Sequence, residues 1–447
     1  MTLATADDTD LRDWPFLPSR AMRVVRGEGA WLIADDGRRI LDAAGGAIVV
    51  NVGHGRAEVM EAIARAPAAS AFVVPNWKTP EREALAERLR RDWLPGGPDG
   101  DLHHIHLTSG GSEGVEAAVK IALQHHAARG DARRLKVMSR ELSYHGTTIA
   151  MAGLSGHAGR KRGLEGFLQS HPSAPTPSPL RCPLGPHHPE AGAYYLAATR
   201  TAIEAEGPET IAAFVSEPIT GSSGGAIVPP DDYLPGLRAL CDEFGILLII
   251  DEVMTGFGRT GLRFGVEHWG VRPDILVSGK GLGGGYGAIC GVYATREVAE
   301  PIGKAGLDVM FHTFGAMPAA CAAADKVLEI LTREQLVARA AVQGERLAAR
   351  LHARLGQHPN VADIRGRGLL QAVEIVRDRE TLEQFDASDR ITQRIVGHGL
   401  QHGVFFYPGG TGPARDIVCL GPPLISTDAE IDQMADVLGE VVGEVLG

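Results

Sequence analysis

ILLIIDEVMTGFGRTGLRFGVEHWGVRPDILVSGK, residues Ile246 to Lys280, is the stretch that decides how this chain folds. It opens with six residues, Ile246 to Asp251, of which five are aliphatic. Such a run, placed after a helix predicted to stop at Gly245, suits a strand buried on both faces of a parallel sheet. Asp251 closes the run, and a carboxylate at the C-terminal end of a buried strand stands where open α/β sheets hold ligands. The stretch ends with a second apolar run, Ile275 to Val277, followed by Ser278-Gly279-Lys280. A second strand therefore delivers a lysine to the same sheet edge.

Taken as residues alone, the acid and the lysine have two readings. They form an ion pair, or they anchor pyridoxal 5′-phosphate (PLP), the lysine on its aldehyde and the aspartate on its ring nitrogen. Working outward, His104 to Thr108 reads as a strand and Ser109 to Gly114 as a tight turn. The helix that follows has Val115, Val119, Ala122 and Leu123 on one face. Free amides of Gly111 and Ser112 at that helix N-terminus, with the Ser112 hydroxyl, suit a phosphate. A serine hydrolase competes: Gly110 to Gly114 satisfies G-x-S-x-G, and Asp251 and His312 follow in the order of a triad. A turn without a ligand is the third reading. The hydrolase leaves Lys280 and the GLGGGYG after it unexplained. That glycine run does not fit G-x-G-x-x-G, so it is a poor dinucleotide motif; it lets the backbone approach a bulky group.

Further runs complete the frame. Asp36-Gly37 between alternating segments signals a hairpin, and Thr79-Pro80 opens a helix with Leu85, Leu89 and Trp93 inward. Leu135 to Ser139 and Ile211 to Ser216 read as strands, the latter ending in Glu217. Ala319 to Leu331 reads as a helix.

The motifs IIDEV-GFGRTG, PDI-GKGLGGG and HTFGAMP, in that order, resemble the class III aminotransferases, the PLP-dependent fold-type-I family that includes the ω-transaminases. The resemblance covers nearly the whole chain. It implies an α/β fold: a mostly parallel seven-stranded sheet in a large domain, with Cys290 to Thr295 as its one antiparallel strand, and a smaller α+β domain. Residues 1–60 would be an N-terminal segment joining the small domain, 61–318 the large domain and 319–447 the C-terminal small domain. Lys280 would form the Schiff base with PLP and Asp251 would hold its ring nitrogen. Gly111 and Ser112 would hold the phosphate. Tyr144 and Val253 would flank the ring, with His145 and Glu217 beside it. Thr313 would reach the phosphate of a neighbouring subunit, making a homodimer with active sites at its interface. On the substrate side, Ile48 replaces an aromatic residue of many members and would leave more room. Arg415 is the candidate for the mobile carboxylate-binding arginine that some ω-transaminases carry, with a plain surface arginine as the other reading. Thr147 stands where 4-aminobutyrate-type members have an arginine, which argues against that substrate class.

Size and composition set the outer limits. The 447 residues allow a large core and two or three domains. A net charge of −11 argues against a nucleic-acid or membrane-surface role. Five scattered cysteines read as reduced residues of a cytoplasmic protein. MTLATADDTDLRDW at the start has neither the basic nor the apolar region of a signal peptide. No apolar run approaches the ~18 residues that span a bilayer. His171, His187 and His188 fall in a proline-rich loop, and no metal is assigned. The expected activity is transfer of an amino group from a primary amine or amino acid to an oxo acid such as pyruvate or 2-oxoglutarate. An amino-acid racemase or a decarboxylating aminotransferase would use the same residues, and a hydrolase built on Ser112 is the rival from another class.

Overall fold

A computed structural model describes residues 22–307 and 311–447. The acidic start read above as lacking a leader lies outside the described residues. Three sheets organise the rest. β1 (Val24–Glu28), β2 (Trp31–Ala34) and β3 (Arg39–Asp42) run antiparallel, the expected turn at Asp36-Gly37 joining the last two.

The large sheet is built from β4 (His104–Thr108), β5 (Lys136–Arg140), β6 (Ser173–Ala174), β7 (Ile211–Ser216), β8 (Leu247–Asp251), β9 (Ile275–Ser278) and β10 (Cys290–Ala294). Their spatial order is β4-β10-β9-β8-β7-β5-β6. β10 is antiparallel to both neighbours, and the run from β9 to β6 is parallel. Period-two alternation explains why the central strands are so apolar. Ala213, Val215 and Ile249 pack on one face with Val115, Ala118 and Ala122 of the Gly111–Ala128 helix. Phe214, Leu248 and Ile250 pack on the other with Leu237, Leu240 and Cys241 of the Tyr233–Phe244 helix. Gly245 ends that helix in the left-handed region, φ 65°, as its C-terminal position predicts.

β11 (Val361–Arg367), β12 (Leu370–Ile375), β14 (Tyr407–Thr411) and β15 (Ala414–Leu420) form the third sheet, in the order β11-β12-β15-β14. β13 (Val404–Phe405) instead pairs with β3, so the two ends of the described chain share a sheet. All five cysteines are free and buried. Among the described residues no helix is long and apolar enough to cross a membrane.

Candidate active site

Four neighbouring parallel strands empty onto one edge. Met138 of β5 pairs with Phe214 of β7, Ser216 of β7 with Ile250 of β8, and Asp251 of β8 with Val277 of β9. Arg140, Glu217, Asp251 and Lys280 therefore leave adjacent strands side by side. A cavity of about 310 Å³ opens there, its wall including Ser112, Tyr144, Glu217, Asp251, Val253 and Lys280. This is where an open α/β sheet is built to hold a ligand.

Lys280 sits at φ 43°, a left-handed conformation for a residue with a Cβ. That strain costs roughly 1–3 kcal/mol and has to be imposed by the surroundings. Asn51 imposes part of it by donating from Nδ2 to the Gly281 carbonyl at 2.9 Å, and the Gly284 amide donates to the Lys280 carbonyl at 2.9 Å. Burial lowers the Lys280 amine to about 8, against the opposing pull of Asp251 and Glu217. Attack on an aldehyde needs the neutral amine, so if Lys280 is the residue that takes PLP, as the resemblance implies, loading of stripped protein should accelerate with pH and level off above about 8. Stopped-flow absorbance reads this rate; a profile that keeps climbing through about pH 10, as for an ordinary lysine, would contradict the assignment.

The two acids are held differently. Asp251 Oδ2 lies 2.9 Å from His145 Nδ1, and Oδ1 accepts the Val253 amide at 3.1 Å. His145 is buried, its Nε2 without a partner. Glu217 accepts the Gly221 amide on Oε1 at 2.7 Å and the Tyr144 amide on Oε2 at 3.2 Å. Burial pushes the Glu217 carboxyl up, while His145 and Arg140 pull it down. Arg140 was not foreseen from the sequence. It is buried, donates from Nη2 to the Glu217 carbonyl at 2.6 Å, and stands 4.0 Å from Glu217 Oε2. The signal was available: KVMSR ends a buried strand on a charge, at the edge where two acids also end.

Gly111 and Ser112 open the Gly111–Ala128 helix, whose first amides point at the cavity end of the sheet. Gly146 lies directly on this helix start. Its φ is 140°, and a Cβ there would stand 2.7 Å from the Ser112 Oγ, so the Tyr-His-Gly loop can close only on a glycine. The Ser112 hydroxyl accepts the Thr147 amide at 3.0 Å. The hydrolase triad is not assembled. Asp251 is taken by His145, and the His312 ring packs on His106, centroids 5.7 Å apart.

Three of the expected site residues, Ile48, Arg415 and Thr313, are not on this chain's cavity wall. Ile48 is buried with Ile219, Leu370, Ala372 and Ile417 in the core beneath the third sheet; Val49, one residue on, is the one that reaches the cavity wall. A positive φ of 58° at Ile48 turns its side chain inward. Arg415 donates to the Phe385 carbonyl, with Nε 3.7 Å from Asp416. Thr313 is exposed and outside this chain's cavity wall. Ile219, Ser222, Met254, Thr255 and the Gly287–Ile289 segment reach the wall unforeseen. They come from loops after strand ends, where no periodicity marks a residue as inward-facing.

Comparison with known proteins finds relatives along nearly the whole chain. A family model described as aminotransferase class-III matches residues 18–442. An uncharacterised aminotransferase of Schizosaccharomyces pombe is 35% identical, covering 98% of this chain and 97% of that protein. A taurine–pyruvate aminotransferase of Rhodobacter capsulatus is 34% identical over 95% of this chain and 92% of its own length. The structure of the omega transaminase from Pseudomonas jessenii in complex with PMP superposes with a TM-score of 0.88 at 31% identity, covering 95% of this chain and 92% of that one.

Proposed function

The chain belongs to the class III aminotransferases, and from that premise we propose that it transfers an amino group from a primary amine or amino acid to an oxo acid such as pyruvate or 2-oxoglutarate, with Lys280 as the residue that binds PLP covalently. Its fold is that of the fold-type-I transaminases. One observation carries the reading: a strained, buried lysine of lowered basicity shares a cavity with a carboxylate from the adjacent strand and the N-terminus of a long helix. The donor set fits PLP at each end. The helix amides and Ser112 suit its phosphate, Asp251 suits a protonated ring nitrogen, and Tyr144 and Val253 offer flat and apolar surface to the ring.

When bound, PLP supplies an aldehyde for the substrate nitrogen and a ring that accepts the electron pair left at the substrate Cα. The rest is the work of side chains. Lys280, once released by the incoming amine, would take the substrate Cα proton on Nζ and hand it back on the far side of the substrate nitrogen, a shuttle suited to an amine tuned near neutrality. Asp251 would hold the ring nitrogen of the cofactor protonated, and His145, 2.9 Å away, keeps the Asp251 carboxylate in place for it. Glu217, held by two backbone amides, stays aimed at the cavity.

A pyruvate acceptor is supported by the name of the Rhodobacter relative. Racemisation, decarboxylation and ester hydrolysis are not favoured, since the named relatives are aminotransferases. The proposal includes a homodimer in which Thr313 faces the neighbour's phosphate; Phe314, 63% exposed beside it, meets the exposed Phe72 edge-to-face, an apolar patch that a partner would cover. It also includes the division into domains near residues 60 and 318, and a cytoplasmic location consistent with five free cysteines. The test is an absorption spectrum of the PLP-loaded protein during addition of an amine panel. The cofactor band should bleach with particular amines and return with pyruvate. A band that no amine bleaches would overturn the proposal.

A further inference from the structure

An enzyme that runs on an oxo acid has to hold a carboxylate, yet among the described residues no arginine lines the cavity. Arg415 is turned toward Phe385 and Asp416. Thr147 brings no charge. One guanidinium does reach the rim. Arg160, in the short Ala158–Lys161 helix, lies with Cζ 4.5 Å from the centroid of the Tyr144 ring. Its Nη1 donates to the Tyr144 hydroxyl at 3.1 Å. Tyr144 is itself part of the cavity wall.

Three features give this pair an anion-binding character. Among the described residues no carboxylate stands within ion-pair distance of Arg160, so most of its N–H groups are uncommitted. The aromatic face fixes the guanidinium plane without neutralising it. The Tyr144 hydroxyl accepts from Arg160, which leaves its own proton free to donate; burial keeps that phenol protonated by raising its pKa. The charge also reaches into the site, since Arg160 is among the groups that lower the Lys280 pKa.

Resting on the aminotransferase reading, we propose that Arg160 and the Tyr144 hydroxyl form the rim site that binds the carboxylate of the oxo-acid acceptor. The planar fork of an arginine pairs with a carboxylate bidentately, and a lysine there would keep charge but lose that geometry. Arg160 is exposed, so its replacement spares the fold.

The test uses the PLP-loaded protein. Amine-bleached enzyme is mixed with pyruvate or with propanal, an acceptor without a carboxylate, and recovery of the cofactor band is followed against concentration. Acetate binding to the resting enzyme is measured in parallel as a readout independent of turnover. Arg160→Gln should raise the half-saturating pyruvate and the acetate Kd about 10- to 100-fold, with propanal shifted far less, and Arg160→Lys should fall between. Arg415→Gln should leave acetate binding as in the wild type. Unchanged acetate binding in Arg160→Gln, equal losses for pyruvate and propanal, or a loss found in Arg415→Gln instead would overturn the rim site. A wild-type protein that takes up no PLP would overturn the aminotransferase reading and the rim site together.

Discussion

Lys280→Ala will lack aminotransferase activity, with the amine half-reaction slowed by at least about 10⁴-fold. On the proposed reading two functions disappear with one side chain: the covalent hold on the cofactor and the base that moves the Cα proton. The loss will be chemical and not a failure to fold. Lys280 is a buried amine whose removal relieves a desolvation cost, and its φ of 43° is no worse for alanine than for lysine. The neighbouring contacts are made by backbone, through Asn51 and the glycines that follow. Thermal unfolding of the stripped variant should therefore match the wild type, while single-turnover absorbance with a good donor amine shows no bleaching on the wild-type timescale. A variant that retained more than about one-hundredth of the rate would assign the proton transfer elsewhere.

The second large effect falls on stability. Arg140→Met leaves Glu217 buried beside Asp251 without its counter-charge, and removing one partner of a buried pair costs about 3–5 kcal/mol. Glu217 would keep its amide hydrogen bonds from Gly221 and Tyr144, but its carboxyl, already raised by burial, would rise further and take up a proton. The sign follows from that rise. A group whose folded pKa lies above its unfolded value favours the folded state at low pH and loses that advantage as pH climbs through the folded pKa. The destabilisation of Arg140→Met should thus be smallest in acid and largest above neutrality. Arg140→Met combined with Glu217→Gln should recover much of the loss. Urea unfolding of the stripped proteins at several pH values measures both. A cost independent of pH, or no recovery in the double variant, would mean that Arg140 serves packing and not charge balance.

Much of this architecture was readable before any coordinates. Ile211 to Ser216, Ile246 to Asp251 and Ile275 to Val277 announce themselves because a strand covered on both faces has to be apolar throughout. Their ends carry Glu217, Asp251 and Lys280, and the structure brings these to one cavity. The helix start at Gly111 was legible for the same reason: a strand, a glycine turn and an amphipathic run specify one local geometry. Arg140 escaped because the strand there runs from Lys136 to Arg140, one residue later than Leu135 to Ser139, and that single step decides which residue meets Glu217. The substrate side was harder for a physical reason. Whether Ile48 or Val49 faces the cavity depends on a left-handed backbone at a non-glycine residue, which no propensity marks. The direction of Arg415 depends on the Phe385 carbonyl and Asp416, contacts that chain order does not announce. Arg160 sits on the rim only because the Ala158–Lys161 helix folds back over Tyr144.

The most direct test of the central claim is borohydride reduction of the PLP-loaded protein followed by peptide mapping. Reduction fixes an imine between cofactor and lysine as a stable bond, so the modified peptide identifies the residue. The structure predicts modification of the peptide that carries Lys280, abolished in Lys280→Ala. An adduct on a different lysine, or none in a protein that binds PLP, would contradict the account.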